Sequence, residues 1–423
     1  MISTLLSFLA LFSAVFMLLM GNGLLGTLLS LRMTMQGFST QLTGLIMAAY
    51  FAGLVAGSLY CNRLIQRVGH IRSFAAFAAV ATAAVMLHGI FISALVWPLL
   101  RFFTGIATIG LYMVIESWLN ECSTPDSRGR VFSIYMICTY LGMSTGQILL
   151  NIGNPQSQQP FFIAGMLMAL CLVPVAVTGS VHPELPEAGN IRIYKVLQKA
   201  PLGILGCLLS GFITASFYSM GPVFCTQIGM DVSGVSAFMM VTILGGLLFQ
   251  WPVGILSDRM DRSLMLPVIG LMVSVFSIGI IVIGGKSYAV LLTAMGIFGG
   301  FVFTIYPVAV ARTHDLFESR EIMAVSSVLL FIYGIGACLG PVAASGCMEI
   351  FHHPSGLFVF CALVSALYAA TGLLLRKKEL ISIVPVEEQV EFVPMRQTSP
   401  VAAAMDPRID PEVFGNESGN VQP

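Results

Sequence analysis

Apolar residues run along the chain in blocks of about twenty, separated by short polar clusters, and about twenty residues is the helical length that crosses a hydrocarbon core ~30 Å thick. Twelve blocks fit: 5–30, 41–61, 74–95, 97–119, 131–151, 160–180, 202–224, 234–256, 264–284, 288–311, 323–348 and 355–375. In lipid each block must satisfy its own backbone hydrogen bonds, so each is predicted as a helix; barrel strands would read as ~10-residue alternating segments. The first block could pass for a signal peptide, but it lacks a basic leader and eleven further blocks follow, so it is read as a membrane helix.

The polar clusters carry topology. With the N-terminus inside, seventeen of the twenty Lys and Arg residues fall on the cytoplasmic side, while Arg32 and Lys286 fall outside and Arg101 lies within a span. Both termini are therefore expected in the cytoplasm, which requires an even number of spans. The longest connection, 181–201, is rich in Pro, Gly and charge and divides the spans six and six. The expected organisation is an N-terminal six-helix bundle at 1–180, a cytoplasmic linker at 181–201, a C-terminal six-helix bundle at 202–375 and a disordered cytoplasmic tail at 376–423. The tail reading follows from its polar, acidic composition, and its Asn416 sequon would go unused on the cytoplasmic side.

Composition removes whole classes of function. With 57% hydrophobic and 9% charged residues the chain is too apolar for a soluble protein. Its 20 basic and 20 acidic residues balance without forming a basic patch, which argues against nucleic acid as a partner. Nine cysteines stand singly in apolar surroundings, so neither metal ligation nor a disulfide framework is expected. Gly285-Lys286-Ser287 ends like a phosphate-binding loop, but Ile280 occupies the position where that loop needs its first glycine. No catalytic triad or zinc-protease spacing is present, so no enzyme activity and no cofactor are expected, and the chain is expected to act as a monomer.

The two halves repeat. NRLIQRVGHIR at 62–72 corresponds to GILSDRMDRS at 254–263, and a near-constant offset aligns Gly105 with Gly296, Arg128 with Arg320, and Gly142/Gly146 with Gly336/Gly340. Duplicated six-helix units around a midplane site are a common plan for secondary transporters. In the loop, Gly allows the chain to double back, an Asp can accept from the next helix N-terminus, and Arg can hold that carboxylate bidentately. The gating set is Arg67, Gly69 and Arg72 in the first half and Gly254, Asp258, Arg259 and Arg262 in the second. A plain positive-inside anchor is the alternative for each loop.

On these residues the chain resembles the major facilitator superfamily across all twelve helices. Gly254, Leu256, Ser257, Asp258, Arg259 and Arg262 match the family's G-x-L-[AS]-D-R-x-G-R loop, with Asp261 in place of a Gly; the first copy has Asn62 and Gln66 where the family has Gly and Asp. Arg101-x-x-x-Gly105 and Gly336-x-x-x-Gly340-Pro341 are similar to two further family motifs, and IESWLN, SRGR and YLGMSTGQ resemble the YcaD-like branch of bacterial transporters. The resemblance implies an all-α multi-pass membrane protein with twelve transmembrane helices in two six-helix bundles, the MFS fold, in the cytoplasmic (inner) membrane.

Charge inside a span is costly and usually faces a wet cavity. Arg101 and Glu116 share the fourth span, where Thr104, Thr108, Tyr112 and Glu116 fall within ~120° of one helical face at 100° per residue. At 1.5 Å per residue they lie about 22 Å apart along the axis, too far to pair. Arg101 either attracts an anionic substrate or a coupling carboxylate, or braces the helix at the outer interface. Glu116 either pairs with Arg67 or Arg72 at a gate or carries a proton. On the fifth span Ser133, Tyr140, Ser144, Gln147 and Asn151 share a ~60° stripe, either a cavity wall or a hydrogen-bonded helix seam. Asn22, Tyr50, Tyr218, Gln250, Trp251, Tyr306 and Tyr333 are weaker cavity candidates. The substrate and coupling set is thus Arg101, Thr108, Tyr112, Glu116, Tyr140, Gln147, Asn22 and Tyr306. The expected function is alternating-access secondary transport of a small organic solute through the bilayer, coupled to protons; the alternative is uncoupled or drug-type efflux of amphipathic compounds.

Overall fold

A computed structural model describes residues 2–177, 191–283, 287–377 and 381–405. The loop around Lys286, Arg408 and the Asn416 sequon lie outside the described residues. Among the described residues the regular structure is helical: α1 Ile2–Met35, α2 Thr40–Val68, α3 His70–Ile90, α4 Val96–Cys122, α5 Pro125–Leu149, α6 Gln159–Leu170, α7 Leu172–Val177, α8 Ile193–Lys199, α9 Pro201–Gln227, α10 Val232–Ser257, α11 Arg262–Ile283, α12 Tyr288–His314, α13 Ile322–Ile350 and α14 Gly356–Lys377. Short 3₁₀ turns follow at Val386–Glu388 and Pro400–Met405.

Among the described residues eleven helical spans are long and apolar enough to cross a bilayer, with α6 and α7 forming one of them across a break at Cys171. The twelfth long helix, α5, is absent from that set because the stripe of Ser, Thr, Tyr and Gln residues dilutes its apolar character. The molecule is an all-α multi-pass membrane protein. Large apolar side chains such as Leu248, Leu339, Leu363 and Leu367 point outward, as a lipid-facing surface requires.

The sequence repeat reappears as a repeat of packing. In the first half α1 packs on α5, α2 on α4 and α3 on α6; in the second α9 packs on α13, α10 on α12 and α11 on α14. The aligned pairs Gly142/Gly146 and Gly336/Gly340 do the same work in both, whereas Gly105 meets the Tyr50 carbonyl and Gly296 only the Val241 side chain closely. A Cβ added at Gly146 would lie 2.3 Å from the Met20 carbonyl of α1, and one added at Gly340 would lie 2.3 Å from the Phe212 carbonyl of α9. Only glycine lets these backbones approach so closely.

The halves meet through α2 on α13, α5 on α10 and α1 on α9. At the end away from the motif loops they are tied by Gln41 N donating to Glu349 Oε1 (3.0 Å) and Asn151 Nδ2 donating to Ser236 Oγ (3.1 Å). At the motif-loop end they part around a cleft of about 600 Å³ between α2 and α13, bordered by Pro400 and Val401.

For residues 381–405 the structure departs from the expected disordered tail; residues 378–380 and 406–423 lie outside the described residues. Residues 381–405 lie against the helices: Phe392, Val393, Met395, Val401, Ala402 and Ala403 are buried, and the turn at Pro400–Met405 packs on α4, α5 and α13. The physical reason is that this segment interleaves apolar residues with its charges, so it covers apolar surface that the cleft would otherwise leave exposed.

Candidate functional site

A cavity lies between the halves, with about 80 Å³ of free space. Its wall is assembled from α1 (Asn22, Thr27), α2 (Tyr50, Phe51), α4 (Arg101, Tyr112), α5 (Met143), α9 (Thr214, Tyr218, Ser219), α13 (Tyr333) and the tail (Arg396, Gln397). Asn22 Nδ2 donates to Tyr50 Oη (3.0 Å), and the Arg101 guanidinium stacks 4.3 Å from the centre of the Tyr50 ring. Arg101 is 3% exposed, and its Nε and Nη1 are buried without a hydrogen-bond partner among the described residues.

Three sequence candidates, Asn22, Arg101 and Tyr112, therefore share one wall, together with the weaker candidates Tyr50, Tyr218 and Tyr333. The others sit elsewhere. Thr108 returns its hydroxyl to the Thr104 carbonyl of its own helix (2.8 Å). Gln147 accepts from Thr27 Oγ1 (2.7 Å) and donates to the Gly23 carbonyl (3.0 Å), which makes it part of a seam between α1 and α5. Tyr140 accepts from Gln250 Nε2 (3.2 Å), while Tyr306 is buried edge-on against Tyr333 at 5.5 Å between ring centres. Trp251 faces outward at 77% exposure.

Glu116 is fully buried, with neither Arg67 nor Arg72 as a partner: Tyr135 Oη donates to it (2.7 Å) and so does the hydroxyl of Ser399 from the tail. Arg396 enters between the halves, its Nη1 on the Thr139 carbonyl and its Nη2 on Tyr218 Oη (both 3.4 Å), with its guanidinium 5.4 Å from the Tyr140 ring centre. Sequence reasoning missed Arg396, Ser399 and Tyr135. Arg396 is flanked by apolar residues in VEFVPMRQTSPVAAAM, and that mixed pattern was the available signal.

At the motif-loop end the second-half gating set closes into a network. Arg262 is fully buried and donates to Asp258 Oδ1 (2.8 Å), Asp315 Oδ1 (2.6 Å), Ser257 Oγ (2.8 Å) and the Val390 carbonyl (2.6 Å). The tail completes it: Val390 N donates to Asp315 Oδ1 (3.0 Å) and Phe392 N to Asp258 Oδ1 (2.8 Å), with the Phe392 ring against Gly254. Asp261, in the family's glycine position, accepts from Arg376 and Ser263. Its carboxyl, pushed up by burial but drawn down further by Arg376 and Ser263, ends below the usual carboxylate value. Arg259 is exposed, as are Arg67, Gly69 and Arg72 of the first half, where neither Arg67 nor Arg72 makes a side-chain hydrogen bond to a described residue.

Comparison with known proteins agrees with this geometry. A family model described as Major Facilitator Superfamily matches residues 11–314. An uncharacterized MFS-type transporter of Yersinia enterocolitica is 32% identical over 360 residues, covering 84% of this chain and 91% of that one. The uncharacterized MFS-type transporter YcaD of Salmonella enteritidis is 30% identical over 355 residues, covering 83% and 91%. Among solved structures, a mutant of the nucleoside transporter NupG superposes with a TM-score of 0.72 at 14% identity over 87% of this chain and 99% of that one. A bacterial homolog of the human lysosomal transporter Spinster, inward-facing and unoccupied, gives 0.69 at 14% identity over 92% and 98%. At that identity the likeness is one of fold.

Proposed function

The chain belongs to the major facilitator superfamily, a transporter rather than an enzyme, and from that premise we propose that it moves a small organic solute across the cytoplasmic (inner) membrane by alternating access. The observation that carries this reading is the central cavity, whose wall draws on both halves, so that rocking one half against the other would open it to either side. Both termini and both motif loops face the cytoplasm in this reading, the site residues are those of the cavity wall, and the protein works as a monomer in the bilayer.

Protons are the proposed drive. A carboxylate held inside a span at a cost of a few kcal/mol needs a reason, and Glu116 sits beside the cavity residue Tyr112 on the same helix face, bonded by two hydroxyls that suit either protonation state. Uncoupled or drug-type efflux is favoured only by the apolar part of the wall, Met47, Phe51, Leu54 and Met143. The test is a pH jump across proteoliposomes with wild type and Glu116→Gln. Proton coupling through Glu116 predicts that the variant loses gradient-driven accumulation and keeps equilibrium exchange. Wild-type rates in both modes would remove Glu116 from the mechanism, and solute movement indifferent to the gradient in the wild type would leave uncoupled efflux.

A further inference from the structure

We infer that the central cavity is an anion site, built from Arg101 of α4 and Arg396 of the C-terminal segment, which takes the carboxylate or phosphate headgroup of the solute. The inference rests on the reading of the cavity as the solute site and adds the chemical class. Two guanidinium groups line one cavity of about 80 Å³, and no Asp or Glu is among the described residues that line it. Glu116 forms an ion pair with neither arginine; its bonds go to Tyr135 and Ser399. Two like charges held in a water-poor interior repel each other and are poorly solvated, and an anion between them relieves both costs.

Donor geometry points the same way. Buried donors without partners are expensive to keep, and among the described residues nothing accepts from Arg101 Nε or Nη1. An oxygen of a carboxylate or phosphate supplies the acceptor such a donor lacks, in a charge-assisted bond. Tyr50, which holds the guanidinium from one face and is itself fixed by Asn22, leaves the in-plane N–H groups free to meet a ligand. Arg396 brings the second charge from the motif-loop end, wedged between Thr139 of the first half and Tyr218 of the second. Its position across the interface means that an anion bound there contacts both halves at once. The rest of the wall, Phe51, Tyr112, Met143 and Tyr333, gives a short apolar or aromatic body a place to lie. The free volume suits a headgroup with a short body.

The experiment is a thermal-shift titration of the purified full-length protein with matched probes at constant ionic strength set by sodium HEPES: acetate, propionate, benzoate and inorganic phosphate against acetamide, propionamide, benzamide and ethylammonium. The expected result is stabilisation by at least one anion and by none of its neutral or cationic counterparts; the carboxylate and phosphate arms identify which headgroup is held. Arg101→Gln and Arg396→Gln should each weaken that anion by about thirtyfold or more, as loss of one partner of a buried charge pair does. Arg101→Lys and Arg396→Lys, which keep the charge, should recover part of the loss and serve where a Gln variant fails to fold. Absence of any anion effect in the wild type overturns the inference, as does tighter anion binding in Arg396→Gln, which would make the tail a competitor for the site. Stabilisation by the amides or by ethylammonium that cavity substitutions remove would overturn the anionic class and leave the cavity as the solute site.

Discussion

The two motif loops descend from one repeated pattern, yet one is assembled and the other is open. In the second half Arg262 is fully buried between Asp258 and Asp315, and the tail backbone at Val390 and Phe392 caps both carboxylates. In the first half Arg67, Gly69 and Arg72 are exposed, Gln66 stands where the second loop has Asp258, and Glu121 at the end of α4 is exposed as well. The difference teaches that a loop arginine becomes a latch only where a carboxylate meets it out of water. A neutral Gln leaves the first-half arginines as solvated charges.

Breaking the buried network should have the largest effect. Arg262→Ala strands Asp315, whose side chain is fully buried in that pair, and should cost about 3–5 kcal/mol, read as a drop in melting temperature or loss of monodisperse protein. A change below about 1 kcal/mol would mean that the second loop is no more a latch than the first. Asp258→Asn is the milder version, because the Asp258 side chain is 38% exposed: it should cost about 1 kcal/mol or less, alter transport kinetics and speed proteolysis of the tail near Glu387 and Glu388. Unchanged proteolysis and normal transport would reduce Asp258 to a surface charge.

The Asp261–Arg376 pair sharpens the comparison through pH. Asp261 titrates below its ordinary value of 3.8 in the folded protein, so its contribution is present in full above that value and is lost as pH falls through the folded one. Arg376→Gln should therefore lower stability at neutral pH, by under about 1 kcal/mol for a partly exposed pair, and the gap from wild type should close as pH falls below the ordinary value and through the lowered one of Asp261. A gap independent of pH would assign Arg376 a packing role. The smallest effect belongs to the open loop: Arg67→Gln should leave stability within about ±0.5 kcal/mol, and a larger loss by thermal melting would reveal a first-half latch.

Part of the cavity wall, Asn22, Arg101 and Tyr112, lies among the residues singled out in the sequence, while Glu116 lies outside the wall. Arg101 and Glu116 stood out because ionisable groups are rare within spans, and the 100° spacing placed Tyr112 with them. The same spacing could not separate a cavity wall from a seam: Thr108 and Gln147 lie on polar faces and spend their hydrogen bonds on their own helix and on α1. Asp315, the buried half of the latch, was passed over because a single acid at a helix end looks like any solvated loop residue until Arg262 is brought against it.

By itself the sequence determined the spans, the duplication and the identity of the loop arginines, because helix length in lipid, a repeated motif and the cost of buried charge act locally along the chain. Tertiary structure alone decided which of two similar loops closes and that the polar C-terminal segment returns to the bundle. It also decided that Arg396, nearly three hundred residues beyond Arg101, shares a cavity with it. Those outcomes depend on charges and apolar surface meeting across the halves, where the energy of each group is set by neighbours far away in the chain.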